Sequence, residues 1–231
     1  DLMISKKTGP TDLVTQMDQQ VQKDLVEKIT HRYPEDRIFA EENGLRSPIS
    51  EGSVWVIDPI DGTNNFVTQK EDFAVMVAYF EDGIGQFGLI YDVMRDHLFY
   101  GGGEFPVYRN EVELTPFVDQ PLENLLIASN VGMLEKNDWG MADLGMDSLG
   151  IRVYGSAGIS FSKILSGGIL AYFSYIWPWD YAAAAIMGEQ LGYTVLNLNG
   201  DKPNYQSVEP IMMVPKVKLT EIQTYLKKGR S

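Results

Sequence analysis

Length, composition and charge point to a folded globular chain and exclude several classes of protein. The chain has 231 residues, 44% of them hydrophobic and 11% aromatic, enough to bury a core in one large domain or two closely packed ones. The net charge of −13 argues against a nucleic-acid partner, which normally needs a basic surface, and the absence of cysteine excludes disulfides and thiolate chemistry.

The first half of the chain predicts one helix followed by strands. Within residues 18–33, Val21, Leu25, Ile29 and Tyr33 recur every four positions, which is typical of an amphipathic helix, and Pro34 would end it. Runs rich in branched and aromatic residues predict strands at 37–41, 53–58, 73–80, 86–93 and 97–100. Short turns separate the last three strands, which predicts an antiparallel meander.

The second half alternates strands and helices. Strands are predicted at 125–128, 152–154, 169–175, 193–196 and 210–214, and helices near 157–165, 180–191 and 219–228. This is an α/β pattern. We place a soft boundary between residues 1–118, with the larger and mostly antiparallel sheet, and residues 119–231, which would complete the same compact unit.

The segment of residues 55–66 carries the strongest chemical signal. A buried strand runs into Asp58-Pro59-Ile60-Asp61, where the proline stiffens the predicted turn and lets both carboxylates project into the same space. Carboxylates are ligands of Mg²⁺, and the following Gly62 lets the backbone approach a phosphate closely. An ordinary acidic turn is the alternative interpretation.

Two further acidic elements strengthen the prediction of a metal site. Glu41 ends an apolar strand, where a solvated surface carboxylate would be the simpler interpretation, and Asp180 begins an alanine-rich helix, where capping alone could explain it. Three separated acidic elements in one cleft would repel one another unless a cation or a proton intervened. Bound cations would also let this acidic protein accept a phosphate ester.

Together these segments resemble the inositol monophosphatase family of lithium-sensitive, metal-dependent phosphatases. The matching motifs are residues 12–15 with Asp18, residues 41–42, 55–66, 155–157 and 179–183, in the order that the family shows. The resemblance implies a layered αβαβα sandwich of the sugar-phosphatase type, in the mixed α/β class. It also implies a homodimer.

The resemblance implies a role for each matching position. Glu41, Asp58 and the Ile60 carbonyl would hold one metal, and Asp58, Asp61 and Asp180 a second. A third, weaker ion is expected near Glu41. The ions would be Mg²⁺, with Mn²⁺ as a substitute, Li⁺ as an inhibitor and Ca²⁺ as a further inhibitor.

Catalytic and substrate-binding positions follow from the same resemblance. Glu41 with Thr63 would activate the attacking water, and Asp18 would support Thr63 through a hydrogen bond. The backbone of Gly62 and Thr63 would bind the phosphate. Lys7 has the spacing of a family lysine on a loop near the metals. The substrate-binding set that the resemblance implies is Asp61, Gly62, Thr63, Gly155, Ser156, Ala157, Ser174 and Asp180.

The predicted function is Mg²⁺-dependent hydrolysis of a small phosphate monoester, with inositol monophosphate favoured. Animal members of the family carry an acidic residue that contacts inositol, whereas Ser174 is the nearest counterpart here. NADP, phosphoadenosine phosphate and fructose 1,6-bisphosphate therefore stay open as substrates. A catalytically silent regulator that binds metal or phosphate is the alternative from another class.

Other features predict no additional site. His31 and His97 lie far in sequence from the acidic motifs and are assigned structural or surface roles. The chain shows neither a signal peptide nor a run of about 18 apolar residues that would span a membrane. We therefore expect a cytoplasmic protein with no membrane and no nucleic-acid partner.

Overall fold

The computed structural model describes residues 4–6 and 13–228 of the chain. Lys7 lies outside these residues. The strands are β1 (Ile4–Lys6), β2 (Leu13–Thr15), β3 (Arg37–Ala40), β4 (Ser53–Asp61), β5 (Ala74–Glu81), β6 (Ile84–Asp92), β7 (His97–Gly102), β8 (Phe105–Arg109), β9 (Val112–Glu113), β10 (Leu126–Ser129), β11 (Gly150–Arg152), β12 (Ala171–Ile176), β13 (Tyr193–Asn197) and β14 (Glu209–Pro215). The helices are α1 (Gln16–Arg32), α2 (Thr63–Thr68), α3 (Val131–Glu135), α4 (Met141–Asp147), α5 (Ala157–Leu165), α6 (Pro178–Gln190) and α7 (Leu219–Lys228).

Two mixed sheets form the centre of the fold. The seven-stranded sheet follows chain order from β3 to β9, with a parallel β3–β4 pair and antiparallel pairs thereafter. The five-stranded sheet has the order β11-β10-β12-β14-β13, in which β10 is parallel to both of its neighbours. A short antiparallel pair of β1 and β2 precedes both sheets.

Helices cover and separate these sheets in five layers. The helix α1 packs on one face of the seven-stranded sheet through Leu25, Val26 and Ile29. The helices α5 and α6 lie between the two sheets and share a continuous core with both of them. On the far face of the five-stranded sheet, α4 and α7 bury Leu144 and Ile222. The predicted layered αβαβα class is therefore confirmed.

The predicted first helix agrees with the structure to within two residues. Thr15 caps α1, because its side chain accepts hydrogen bonds from the backbone N–H groups of Met17 and Asp18, while the Asp18 carboxylate accepts from the Thr15 N–H. The helix ends before Pro34, as predicted. One difference concerns Tyr33, which is half exposed and stacks on Trp55 instead of joining the apolar face.

The structure corrects the predicted turn after Asp58. Instead of ending there, β4 continues through Pro59 to Asp61. Its pairing with β5 shifts between Asp58 opposite Met76 and Asp61 opposite Ala74, so β4 holds one extra residue. Such a bulge is a tolerated place for proline, which cannot donate to the sheet. Residues three apart in a regular strand face opposite sides, and the extra residue lets both carboxylates face the same side.

Several short elements of the structure carry no signal that predicts them from the sequence. The sequence pattern predicts no strand for β8 and β9 and no helix for α3 and α4. The chain leaves the first sheet after β9 and enters the second at β10, so residues 114–125 connect the two sheets. Since one core contains residues of both sheets, the division at residue 118 stays a prediction. Among the described residues, no helix is long and apolar enough to cross a membrane.

We expect Gly88→Ala to destabilise the fold by about 1–3 kcal/mol, because overpacking against backbone atoms cannot be relieved by a rotamer change. A Cβ atom at Gly88 would lie 2.3 Å from the carbonyl oxygen of Ala183, in the helix that separates the sheets. Gly168→Ala is the matched control, since its nearest atom would be the Lys163 carbonyl oxygen at 3.5 Å. Urea denaturation measures both variants, and equal stabilities would contradict this packing argument.

Candidate active site

The predicted acidic residues converge at one place between the two sheets. Asp58 and Asp61 come from the bulge of β4, and Asp180 lies in the first turn of α6. One carboxylate oxygen from each of the three lies within 4.8 Å of the others. Asp58 is 1% exposed and Asp61 8% exposed. The structure therefore brings together two buried carboxylates and the partly exposed carboxylate of Asp180.

Glu41 extends the same cluster from the neighbouring strand. The parallel register of β3 and β4 pairs Ala40 with Ile57, and the Glu41 N–H donates to the Ile57 carbonyl at 3.1 Å. This pairing places Glu41 beside Asp58 in the next register position. The Glu41 charge contributes to raising the pKa of both Asp58 and Asp180.

Burial and like charge strongly disfavour ionisation of the cluster. Burial raises the pKa of Asp58 well above its usual range, and the charges of Glu41, Asp61 and Asp180 raise it further. Burial also raises the pKa of Asp180, reinforced by Asp61 and Glu41. Within the described part of the chain, the Asp58 Oδ1 atom is buried without a hydrogen-bond partner.

These observations fit a bound divalent cation. A buried acceptor without a donor is costly, and adjacent buried carboxylates are stable together only when a positive charge or a proton offsets them. Oxygen atoms of carboxylates are the ligands that Mg²⁺ takes in proteins. The donor set of Asp58, Asp61 and Asp180 therefore meets the requirements of a magnesium site.

The N-terminus of α5 holds Asp61. The Ser156 hydroxyl donates a short hydrogen bond to its Oδ2 atom, the Gly158 N–H donates to the same atom at 2.7 Å, and the Ala157 N–H donates to Oδ1 at 3.1 Å. These bonds oppose the effect of burial, which is the larger and raises the Asp61 pKa. Ser156 and Ala157 thus contact a carboxylate directly, while their predicted contact with the substrate stays a prediction.

Thr63 and Asp18 form a hydrogen-bonded pair next to the bulge. The Thr63 hydroxyl lies 3.1 Å from Asp18 Oδ1 and 3.1 Å from the Ile60 carbonyl oxygen. Asp18 is fully buried and is fixed by the capping bonds from Thr15. The predicted contact between Asp18 and Thr63 is therefore present, and it connects α1 to the first residue of α2.

Gly62 joins β4 to α2 in a conformation that favours glycine. Its φ angle is +86°, and a Cβ atom there would lie 2.9 Å from the Ser156 Cβ atom. Gly155 also has a positive φ angle, of +70°, beside the Asn65 side chain. Asn65 donates to the Asp72 and Tyr154 carbonyls at 2.9 and 2.7 Å, which holds the loop after α2 against the loop before α5.

Ser174 lies on β12 and shares the face of Tyr172, which packs in the core between the two sheets. Asn130 at the end of β10 donates from Nδ2 to the Ser174 hydroxyl at 3.2 Å and caps α3 through Oδ1. The sequence analysis missed Asn130. Its signal was present, because a polar residue directly follows the predicted strand 125–128.

The remaining predictions concern residues outside the cluster. His31 lies on α1 and His97 on β7, and neither belongs to the acidic group found among the described residues. A cavity of about 390 Å³ lies elsewhere, between the β5–β6 turn, α6 and the loop after β13. It is lined by other residues, among them Phe80, Ile186, Lys202 and Tyr205.

The comparison with known families decides the identity of the chain. A model of the inositol monophosphatase family matches residues 1–229. The chain belongs to the inositol monophosphatase family. It is therefore a phosphatase of the hydrolase class, and the family is metal-dependent.

The sequence is similar to those of inositol monophosphatases from bacteria and mammals. The inositol-1-monophosphatase of Bacillus subtilis is 37% identical over 206 residues, covering 87% of this chain and 78% of that protein. Inositol monophosphatase 1 of Rattus norvegicus is 31% identical over 211 residues, covering 87% of this chain and 76% of that protein.

Solved structures of the family share the fold. An IMPase/NADP phosphatase complexed with Mg²⁺ and phosphate superposes with a TM-score of 0.90 at 25% identity, covering 97% of this chain and 86% of that one. Staphylococcal IMPase-II superposes with a TM-score of 0.86 at 31% identity, covering 91% of this chain and 82% of that one. Other structures contain NADP with Ca²⁺, 2′-AMP, or lithium in an inhibitory complex.

We expect Asp58→Asn to stabilise the metal-free protein, increasingly so as the pH rises. The pKa of Asp58 is higher in the folded state than its ordinary value of 3.8. The folded protein therefore binds the Asp58 proton more tightly than the unfolded chain does. That contribution is complete below the ordinary pKa and is lost as the pH rises through the folded-state pKa. In chelator, the Tm difference between variant and wild type should grow as the pH rises above 3.8, the ordinary pKa of Asp58.

Asp92→Asn is the control for this measurement. Asp92 is equally buried, but Arg95 Nη1 lies 3.1 Å from its Oδ2 atom, so neutralising this carboxylate breaks an ion pair. Its Tm should fall below that of the wild type. A Tm difference for Asp58→Asn that does not change with pH would contradict a pKa of Asp58 raised by burial and by the neighbouring carboxylates.

Proposed function

We propose that this chain hydrolyses a small phosphate monoester with Mg²⁺ bound by Glu41, Asp58, Asp61, Asp180 and the Ile60 carbonyl. The observation that carries the proposal is the set of three carboxylate oxygens within 4.8 Å, with a buried Asp58 oxygen that has no donor in the described residues. Two or three ions would bind there, and Mn²⁺ would substitute for Mg²⁺. Li⁺ and Ca²⁺ would inhibit, in line with the lithium-soaked and calcium-bound relatives.

The residues of the chain would orient the reactants. When bound, magnesium supplies positive charge to the phosphoryl oxygens and makes water more acidic. Thr63 can donate a hydrogen bond to Asp18 through its one hydroxyl proton, which leaves lone pairs on Oγ1 that would accept a hydrogen bond from the attacking water and orient it. Glu41 would act together with Thr63 as the base that activates the attacking water. The N–H groups of Gly62 and Thr63 would bind the phosphate.

The chain's own geometry supports this arrangement of roles. The positive φ angle of Gly62 turns the backbone directly after Asp61, so carboxylates and free helix N–H groups adjoin. The in-line displacement needs the attacking water and the leaving oxygen on opposite sides of phosphorus. Asp18 and Thr63 would define the side of the water, whereas Gly155, Ser156, Ala157, Ser174 and Asp180 would contact the substrate.

Inositol monophosphate is the substrate that we propose first. The Bacillus subtilis and rat relatives carry names for this activity. A neutral hydroxyl at Ser174, held by Asn130, can donate to or accept from a substrate hydroxyl. NADP, phosphoadenosine phosphate and fructose 1,6-bisphosphate stay candidates, since a structural relative is named as an NADP phosphatase.

We also propose that the enzyme forms a homodimer in the cytoplasm. The silent regulator is the second candidate function. It would keep the magnesium site and the fold but would release no phosphate.

We expect phosphate release that requires Mg²⁺, stops in chelator and falls with added lithium. The panel is inositol 1-phosphate, fructose 1,6-bisphosphate, phosphoadenosine phosphate and NADP, and the preferred member identifies the substrate group. Asp180→Asn removes a proposed metal ligand, and it should lower kcat/KM by at least about 10³-fold while far-UV circular dichroism stays unchanged. If a folded wild type that binds magnesium releases no phosphate from any panel member, the silent regulator is favoured. Near-normal turnover by Asp180→Asn would refute the metal assignment.

A second expectation concerns the hydroxyl of Thr63. Thr63→Ala should lower kcat by about 10²-fold with little change in KM, because it removes the group that orients the water. Thr63→Ser keeps the hydroxyl and is the matched control, with a much smaller loss. Steady-state kinetics at saturating Mg²⁺ distinguishes the two variants. Equal losses in both would mean that the hydroxyl has no part in the reaction.

A further inference from the structure

Arg46 lies on the rim of the acidic cluster, in the loop that follows β3 and the short 3₁₀ turn of Glu42–Gly44. Its Nη1 group donates a short hydrogen bond to the Ala40 carbonyl and a second bond to the Leu45 carbonyl at 3.0 Å. Ala40 is the residue directly before Glu41. The guanidinium group therefore holds the backbone from which the Glu41 side chain extends.

The same guanidinium group contacts the aromatic residues that flank Asp180. Its central carbon lies 4.5 Å from the ring centre of Trp179 and 6.0 Å from that of Trp177. The two indoles stack on each other, with centres 4.8 Å apart and planes 10° apart. The backbone N–H of Trp177 donates to Asp180 Oδ2 at 2.7 Å, so this aromatic pair and the carboxylate form one local structure.

A fourth side chain, from the seven-stranded sheet, packs against the group formed by Arg46 and the two stacked indoles. Phe39 on β3 lies 5.6 Å from the guanidinium carbon and meets Trp179 edge to face at 5.6 Å. Phe39 and Trp179 are both buried. Arg46 thus lies where β3 of the first sheet meets the start of α6, between the layers that carry Glu41 and Asp180.

Arginine has the properties that this position requires. A planar guanidinium group can stack on an aromatic face and donate two hydrogen bonds in a fixed geometry, which an ammonium group cannot do. Burial lowers the Arg46 pKa, and the charges of Glu41 and Glu42 raise it. The side chain is thus a solvent-accessible cation that covers the edge of the acidic site.

We propose that Arg46 is a positioning residue that sets the distance between Glu41 and Asp180 and so prepares the ligand geometry for Mg²⁺. This role rests on the proposed function only in that the bound ion is magnesium. The two ligands come from different layers, and Arg46 bonds to the backbone of one and stacks on the residues beside the other. Outer residues that orient metal ligands typically affect metal affinity by about 10–100-fold.

The charge of Arg46 alone predicts the opposite result. A cation beside the site repels Mg²⁺, so removal of its charge without any change of geometry would strengthen Mg²⁺ binding. Replacement by lysine would then change nothing. Positioning instead predicts that both replacements weaken Mg²⁺ binding, because neither lysine nor methionine can stack and donate two bonds in the same plane.

The test measures Mg²⁺ binding to Arg46→Met and Arg46→Lys by isothermal titration calorimetry, together with the Tm shift that Mg²⁺ produces. We expect the Mg²⁺ dissociation constant to rise by about ten-fold in both variants, with a smaller Tm shift. The matched control is Arg152→Met, since Arg152 lies on the edge strand β11 and bonds to the neighbouring Ile151 carbonyl. Its Mg²⁺ affinity should equal that of the wild type.

Each outcome decides between the two explanations. Tighter binding by Arg46→Met with an unchanged Arg46→Lys would overturn the positioning role in favour of charge. Unchanged affinity in both variants would overturn any role at the site. If Arg46→Met does not fold, Arg46→Lys decides alone, because it keeps the charge and loses only the geometry. The wild-type titration and the substrate panel separate this result from a failure of the proposed phosphatase activity.

Discussion

The mutual repulsion of buried carboxylates is the constraint on which the rest of this structure depends. Asp58, Asp61 and the partly exposed Asp180 place carboxylate oxygens within 4.8 Å of one another, and water screens the two buried carboxylates poorly. Hydrogen bonds offset part of this cost, since Asp61 accepts from the α5 N-terminus and Asp180 accepts from the Trp177 N–H. A bound cation would offset the rest of the repulsion, so the geometry of the folded chain favours binding of a divalent metal.

The fold holds these charges in place through features that are separate from the carboxylates. The extra residue in β4 turns Asp58 and Asp61 to the same side, and the parallel pairing of β3 with β4 adds Glu41. The helix α6 brings Asp180 from between the sheets, where contact with β6 is so close that only glycine fits at Gly88. The large apolar core therefore provides the rigidity that opposes the repulsion.

Local patterns in the sequence were sufficient for much of this architecture. The four-residue spacing of apolar side chains located α1, and runs of branched residues located the core strands, because both signals arise from burial of one face. The bounds of α5 and α7 agree with the predicted ranges. The short elements β8, β9, α3 and α4 escaped prediction, since a few residues carry little periodicity and tertiary contacts stabilise them.

In the candidate site too, features that depend on nearby residues could be predicted from the sequence, and features that depend on contacts between distant residues could not. The acidic motif could be predicted because its residues are close in sequence. The bulge that orients Asp58 and Asp61 could not, because it depends on pairing of β4 with β5. Asn130 and Arg46 act through Ser174 and Trp179, which lie 44 and 133 positions away along the chain. No spacing rule links such pairs before the fold is known.

The two sheets contribute different chemistry to the cleft, which bears on how substrates are distinguished. The first sheet supplies Glu41, Asp58 and Asp61, whose carboxylates would serve any phosphate ester in the same way. The second carries the neutral, hydrogen-bonded pair of Ser174 and Asn130, for which we propose hydrogen bonds to the organic part of the substrate. On this proposal, changes at Ser174 and Asn130 alter substrate choice without disturbing the charges of the reaction centre, because the acidic cluster does not depend on these two side chains.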